Sequence, residues 1–154
     1  MFPEMRRKKQ LMKEEDCIRI LKEGCTGILG VSTAQYPSMT PLNYVMFDNA
    51  IWFHCAKTGH KLTVIKENPD VTFCVIGKDI VVPEEYSTSY ESVIAYGRAE
   101  IIEDMDQKRN ALKQLIHKYC PMMEAGSDSY IEDGIQDTGI VRIQIVHLSG
   151  KQHA

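Results

Sequence analysis

One stretch, residues 51–61, constrains the fold and the function of this chain more than any other. It opens with Ile51-Trp52-Phe53, bulky side chains that suit the half-buried surface of a β-strand. It then becomes polar and reaches Gly59, where the backbone can bend freely. Beyond the glycine, apolar residues recur at helical spacing until Asn68-Pro69 ends the run. The pattern predicts a strand, a short basic loop and a short helix.

The junction between this strand and this helix is a candidate phosphate site. Basic and hydroxyl side chains gather there: His54, Lys57, Thr58, His60 and Lys61. The N-terminus of a helix offers unpaired backbone N–H groups and a partial positive charge, to which a lysine adds a full charge. The loop lacks the GxxxxGK[ST] pattern of a P-loop. On these residues alone, phosphate binding and an ordinary solvated turn both stay open.

Composition narrows the class of protein. The 154 residues predict one domain, 1–154, with residues 1–12 as an N-terminal arm. Hydrophobic residues make up 44% and charged residues 25%, as in a globular protein, and the net charge of −3 gives no reason to expect nucleic-acid binding. No apolar run approaches the roughly 20 residues that span a membrane, and no apolar segment of a signal peptide follows the basic N-terminus. Five cysteines without C-x-x-C or zinc spacing predict reduced thiols, no metal site and a cytoplasmic location.

The hydrophobic pattern predicts a mainly β protein, a β-barrel with flanking helices. Alternating or β-branched runs predict strands over 28–32, 39–47, 71–76, 90–102 and 140–148, in addition to the strand that begins at Ile51. Helices are predicted over 14–23 and from 103–106 to about 119, an irregular loop with one helical turn over 78–89, and a polar connection with a helical turn over 122–134. Asp48-Asn49 predicts a tight turn that joins two strands into a hairpin. In the last strand, Ile140 is predicted to lie on the polar face with Arg142. Strand order does not follow from the pattern.

Several segments, in this order and spacing, resemble a known family. They are Pro41-Leu42-Asn43-Tyr44, the run Phe53 to Lys61, Asn68-Pro69, Tyr90-Glu91-Ser92-Val93-Ile94 with Gly97, and His147-Leu148-Ser149-Gly150-Lys151. Over about residues 6–151, the chain resembles the pyridoxamine 5′-phosphate oxidase-like FMN-binding split β-barrels. Within them it is similar to the branch named for nitroimidazole-resistance (Nim) proteins.

The resemblance implies a homodimer with two FMN sites at the subunit interface. Thr40, Pro41, Leu42, Asn43 and Tyr44 would line the flavin, Phe53 and His54 would follow the ribityl chain and phosphate, and Thr58 would add a hydroxyl. His60 and Lys61 match the basic pair that holds the phosphate, which is Arg-Lys in the oxidases themselves. Ser92 matches the position that reaches the flavin from the partner chain. A neutral histidine pairs more weakly with phosphate than arginine does.

The C-terminus departs from the family pattern. The oxidases end in a segment rich in arginine and tryptophan that grips the substrate phosphate, whereas this chain ends Lys151-Gln152-His153-Ala154 and has a single tryptophan, Trp52. This argues against oxidation of pyridoxamine phosphate itself. The resemblance therefore implies a flavin site and leaves the substrate open.

The function predicted is that of an FMN-dependent oxidoreductase. It would pass electrons from a reduced nicotinamide or another donor to a small acceptor, of which a nitro-aromatic compound is one candidate. The two alternatives are a non-enzymatic flavin store or redox sensor, and a haem-binding relative on the same barrel. His54 is the candidate catalytic residue, as proton donor or substrate contact, against a histidine hydrogen-bonded at a strand end. Asn43 is either a ligand of a flavin heteroatom or an asparagine satisfied by the backbone.

Overall fold

The computed structural model describes residues 1–154 and contains seven strands and four α-helices. The strands are β1 (Thr26–Val31), β2 (Ser38–Asn43), β3 (Val45–Phe47), β4 (Ala50–Ala56), β5 (Asp70–Val82), β6 (Ser87–Ile101) and β7 (Thr138–His153). The α-helices are α1 (Glu14–Glu23), α2 (His60–Glu67), α3 (Met105–Tyr119) and α4 (Ser127–Gly134). Short 3₁₀ turns cover Lys8–Gln10, Pro83–Glu85, Pro121–Met123 and Ile135–Asp137.

The hairpin predicted around Asp48-Asn49 is confirmed. β3 and β4 pair antiparallel, with Phe47 opposite Ala50, so the loop between them has two residues. Both loop residues have positive φ, 51° at Asp48 and 55° at Asn49. That is the backbone of a type I′ turn, whose twist matches the twist of paired strands and which Asn and Asp tolerate better than most residues do.

All seven strands form one curled antiparallel sheet, in the order β2-β1-β5-β6-β7-β4-β3. The two edge strands, β2 and β3, are consecutive in sequence and are separated only by Tyr44. One run of chain therefore pairs first with β1 at one edge and then with β4 at the other edge. This crossing closes the sheet into a split β-barrel, which confirms the predicted fold class.

The inside of the sheet is a core that two helices complete. α1 contributes Cys17, Ile20 and Leu21, and α2 contributes Leu62, Val64 and Ile65, to a cluster built mainly from alternate strand residues. Packing is close where β1 meets the ring of Phe73. A Cβ atom at Gly27 would lie 2.0 Å from a ring carbon of Phe73, so this strand position requires glycine.

A second cluster lies between the outer side of β3, β4 and β7 and helix α3. Its buried residues are Val45, Ala50, Trp52, Ile102, Ala111, Leu115 and Ile140. The prediction that Ile140 belongs to a polar face is therefore wrong, because α3 covers that face and the residue is fully buried. Alternation of apolar and polar residues along a strand indicates a single buried face only where no other element packs against the second face.

Three other predicted elements differ from the structure. The segment 78–89, predicted as an irregular loop, is instead the end of a hairpin in which β5 and β6 pair. The helical turn predicted within it is present at Pro83–Glu85, between the two strands. Residues 122–134 hold a full helix, α4, in place of a single turn. The predicted strand 39–47 is interrupted at Tyr44. None of the helices combines the length and the apolar character that crossing a bilayer demands.

Candidate functional site

The split in the barrel is a cleft between two strand edges that have no partner. β2 pairs only with β1, and the second half of β4, Phe53 to Ala56, pairs only with β7. The last pair that joins the two sides is Val45 with Trp52. Beyond this pair the strands diverge, and the N–H and C=O groups of both free edges are available to a ligand. The cleft has its closed end, the apex, at Tyr44.

Most residues predicted to bind the flavin lie along this cleft. Thr40, Pro41, Leu42 and Asn43 lie on β2, His54 lies on β4, and Thr58, His60 and Lys61 lie where the chain leaves β4 and enters α2. Along β2, exposed and half-buried residues alternate, so Pro41 and Asn43 face outward while Thr40 and Leu42 face the core. The structure thus brings separate segments of the sequence to one place.

Tyr44 and Phe53 lie beneath the cleft rather than in it. Both are fully buried in the inner core. The Tyr44 hydroxyl donates to the carbonyl of Leu21 at 2.6 Å, and its ring packs edge-on against Phe73. In this conformation neither side chain is accessible to a ligand, so each supports the surface from below.

The loop at the open end of the cleft has the geometry expected of an anion site. Gly59 has a φ of 150°, and α2 begins at the next residue, His60. No side chain caps the N-terminus of α2. Its first N–H groups, which a helix cannot pair internally, are therefore free for a ligand. His60 is exposed and Lys61 is half-buried, so one full positive charge and one imidazole flank these donors.

Lys57 has a different task from its neighbours in the loop. Its Nζ donates to the carbonyl of Gln136 at 2.9 Å, in the 3₁₀ turn that follows α4. The carbonyl of Ile135 beside it accepts from the buried Lys108 at 2.7 Å. Two lysines thus hold the carbonyl end of this turn, and Lys57 ties the loop to it.

The charge of Lys61 also acts on the thiol of Cys55 in β4. Burial raises the pKa of Cys55, and the ammonium of Lys61 opposes that shift without cancelling it. Burial alone raises the pKa of Cys74. Both thiols therefore stay protonated near neutral pH, as expected of packing residues.

His54 lies on the outer side of the cleft near its apex. It is exposed, its strand neighbour on the same face is Trp52, and its side chain makes no hydrogen bond with the protein. The alternative of a histidine hydrogen-bonded at a strand end is not observed. If the pairing of Val45 with Trp52 is continued by two residues, Asn43 falls opposite His54 across the cleft.

The end of α3 forms a polar cluster at the apex that the sequence did not predict. The hydroxyl of Tyr119 accepts the N–H of Tyr44 at 3.1 Å and lies 2.9 Å from the carbonyl of Cys25. Lys118 donates to the carbonyl of Tyr44 at 3.1 Å and to the carbonyl of Gly24, and its Nζ lies 4.4 Å from the centre of the Tyr44 ring. Burial lowers the pKa of Lys118 and raises the pKa of Tyr119. The helical spacing of α3 gave no sign of these contacts.

Ser92 is not brought to the cleft of its own chain. It lies on β6, in the middle of the sheet. Two strands, β1 and β5, lie between β6 and β2, and one strand, β7, lies between β6 and β4. Its neighbours across the strands are Ile76 and Lys151, on the outer face of the sheet. Ile76 is 57% exposed there and Ile94, two residues beyond Ser92, is 37% exposed. Exposed apolar residues on a sheet face are typical of a surface that another molecule covers.

Three surface cavities of about 540, 740 and 530 Å³ lie elsewhere. The first two are bounded by Phe2 of the N-terminal arm and the outer sheet face, and the third lies beside Lys9 and Tyr90. None is lined by a residue predicted to bind the flavin. The candidate site is thus separate from these three cavities.

Comparison with known proteins agrees with this architecture. The sequence model of the family described as pyridoxamine 5′-phosphate oxidase matches residues 13–152. Among curated proteins, no sequence matches the chain significantly.

Three solved structures illustrate the likeness of fold. A protein of Bacteroides thetaiotaomicron, described as a candidate 5-nitroimidazole antibiotic resistance protein, is 19% identical over 92% of this chain and 85% of its own, with a TM-score of 0.77. The flavocytochrome Anf3 of Azotobacter vinelandii is 20% identical over 98% and 72%, with a TM-score of 0.82. An FAD-binding protein of Mesorhizobium loti is 19% identical over 94% and 98%, with a TM-score of 0.69. At these identities the likeness shows the fold alone.

Proposed function

The chain belongs to the pyridoxamine 5′-phosphate oxidase family, and from this we propose that it is a homodimeric FMN-dependent oxidoreductase. It would take electrons from a reduced nicotinamide or another donor and pass them to a small acceptor. A nitro-aromatic compound is one such acceptor. The C-terminus, which lacks the arginine- and tryptophan-rich segment of the oxidases, argues against pyridoxamine phosphate as the substrate.

The observation that carries the proposal is the cleft between β2 and β4. At its open end, the uncapped N-terminus of α2 with His60 and Lys61 suits a phosphate dianion. Along its sides, free strand edges suit the heteroatoms of a flavin ring. The chain from Phe53 in β4 to Lys57, the first residue beyond this strand, spans about 13 Å at about 3.3 Å per residue. A ligand with a phosphate at one end and a flat polar ring at the other fits this arrangement.

The structural relatives support a flavin as the ligand without deciding which one. One is named a flavocytochrome and another an FAD-binding protein. We propose FMN because the free N–H groups, His60, Lys61 and the Thr58 hydroxyl gather at a single anion site. When bound, the flavin supplies the redox chemistry, and the protein supplies binding, orientation and electrostatics.

In the proposed mechanism each residue of the chain has a limited task. Lys61 and the N–H groups of α2 hold the phosphate, and Asn43 with the edge of β2 orients the ring. His54, whose imidazole is free of protein partners, donates a proton to the acceptor or orients it. Protein on both sides of the ring would exclude water from the reacting atoms.

The position of Ser92 supports the proposed homodimer. The outer sheet face that carries Ser92 also exposes Ile76 and Ile94, and it lies on the opposite side of the barrel from the cleft of the same chain. In an isologous two-fold dimer, this face of one subunit would close the cleft of the other. We propose that such an interface buries well over about 1,000 Å².

The absorption spectrum of the protein as purified, and again after addition of FMN and removal of excess, tests this proposal. We expect the bands of a bound flavin, one flavin per chain. A haem spectrum, or a protein that retains no flavin, would reject it. Turnover with a reduced nicotinamide and a nitro compound then separates an enzyme from a flavin store or sensor.

A further inference from the structure

The apex cluster of the cleft suggests how the ring of the flavin is oriented. We infer that Tyr119 positions Asn43 so that the Asn43 side-chain oxygen accepts a hydrogen bond from N3–H of the flavin ring. This inference rests on the proposed function. It adds three things to that function: the flavin atom that is recognised, the protein atom that recognises it, and a residue of α3 that acts through Asn43.

Only the nitrogen of the Asn43 side-chain amide is hydrogen-bonded within the protein. Its Nδ2 donates to the carbonyl of Cys25 at 3.0 Å, while its Oδ1 has no partner in the protein. The residue is exposed and faces outward from β2. With its amide group turned toward Cys25, Asn43 offers a ligand in the cleft an acceptor and not a donor.

Tyr119 contacts the backbone that follows this asparagine and the backbone to which the asparagine side chain is hydrogen-bonded. Its hydroxyl accepts the N–H of Tyr44, the residue that follows Asn43, at 3.1 Å. The same hydroxyl lies 2.5 Å from the carbonyl of Tyr44, which also accepts from Lys118, and 2.9 Å from the carbonyl of Cys25. Tyr119 thus contacts both the residue that follows Asn43 and the carbonyl that accepts from the Asn43 side chain, so it bridges the end of β2 and the start of β1.

The chemistry of the ring then selects one atom. The oxidised isoalloxazine ring has a single N–H, at N3, between two carbonyl groups, and its other heteroatoms only accept hydrogen bonds. An acceptor held at the apex therefore recognises N3–H. Since the phosphate would lie at the open end of the cleft, this places the pyrimidine part of the ring toward Asn43 and His54.

The inference is tested by fluorescence titration of the full-length, flavin-free protein with FMN and with N3-methyl-FMN. The methyl group removes the donor and leaves the rest of the ring unchanged. We expect the wild-type protein to prefer FMN by about tenfold, the value of one ordinary hydrogen bond. In Asn43→Ala the protein should bind FMN and N3-methyl-FMN about equally well. In Tyr119→Phe the preference for FMN should be no more than about threefold.

Controls separate positioning from folding. Tyr130→Phe, at an exposed position on α4, should keep the wild-type preference. Because Asn43 is exposed, Asn43→Ala should fold even if Tyr119→Phe does not. Equal loss of affinity for both flavins in Tyr119→Phe would show that Tyr119 supports the fold and does not position Asn43. A preference that survives in Asn43→Ala, or a wild-type protein that binds FMN without any preference, would overturn the inference. Wild-type protein that binds neither flavin would reject the proposed function itself.

Discussion

Tyr119 accepts the backbone N–H of Tyr44 at 3.1 Å, at the residue where the chain leaves one edge of the sheet and joins the other. Tyr44 has no strand partner, since it lies between the last residue of β2 and the first residue of β3. A side chain of α3 therefore replaces a strand partner. The opening of the barrel that forms the candidate site is held at its apex by this contact.

The first prediction concerns the stability of this apex. Tyr119→Phe removes the acceptor of the Tyr44 N–H and leaves a buried donor unpaired, which should cost about 1–3 kcal/mol in the free energy of unfolding. Denaturant unfolding measures the loss. Tyr130→Phe, at a residue that is 78% exposed, should be unchanged within error. Equal stability of Tyr119→Phe and wild type would show that the contact does not support the fold.

The second prediction concerns alkaline pH. Burial raises the pKa of Tyr44 far above its usual value of 10.0. Above about pH 10, the unfolded chain releases this proton while the folded chain keeps it, so stability falls as pH rises, by about 1.4 kcal/mol per pH unit. Unfolding measured between about pH 10 and 11.5 should show a shallower slope in Tyr44→Phe. The control Tyr86→Phe removes an almost fully exposed tyrosine and should keep the wild-type slope.

The third prediction concerns the phosphate. Lys61→Ala should weaken binding of FMN by about 1.5–3 kcal/mol and leave binding of riboflavin nearly unchanged, because in the proposed site the lysine contacts only the phosphate. Fluorescence titration measures both. Lys66→Ala, in the last turn of the same helix, is the matched control and should bind both ligands as wild type does. Equal weakening of both ligands in Lys61→Ala would show that Lys61 does not hold the phosphate.

The fourth prediction concerns His54. In His54→Ala, stopped-flow reoxidation of reduced FMN by a nitro compound should slow by about 10²–10⁴-fold if His54 transfers a proton, and by less if it only orients the acceptor. The measurement is made at saturating FMN, so that weaker flavin binding does not contribute. His117→Ala, which removes an exposed histidine of α3 paired with Glu124, is the control. A wild-type rate in His54→Ala would remove His54 from the mechanism.

The fifth prediction concerns the outer sheet face. Ile94→Glu places a charge beside Ser92 in the proposed interface and should convert the dimer into a monomer that binds FMN poorly. Sedimentation velocity and FMN titration measure the two effects. Tyr130→Glu introduces the same charge on α4 and should leave the dimer intact. A wild-type monomer that binds FMN at full stoichiometry would contradict the proposed assembly.

The sequence alone determined several local elements and indicated the candidate phosphate loop. The bounds predicted for the first helix, 14–23, match α1, and the turn at Asp48-Asn49 is confirmed, because caps, turns and periodicity are properties of neighbouring residues. The segments that carry the family resemblance also led to a family that the comparison confirms. Roles of single residues such as His54 and Ser92 stay predictions.

Only the tertiary structure decided how these elements form a site. That β2 and β3 lie at opposite edges of one sheet depends on strand order, which has no local signal. The same holds for the burial of Ile140 under α3 and of Tyr44 beneath the cleft, since each depends on an element far away in sequence. Tyr119 lies 75 residues from Tyr44, and nothing in the helical pattern around it distinguishes an apex contact from an ordinary surface tyrosine. Long-range packing overrides local preference at these positions, and it is there that the cleft is shaped.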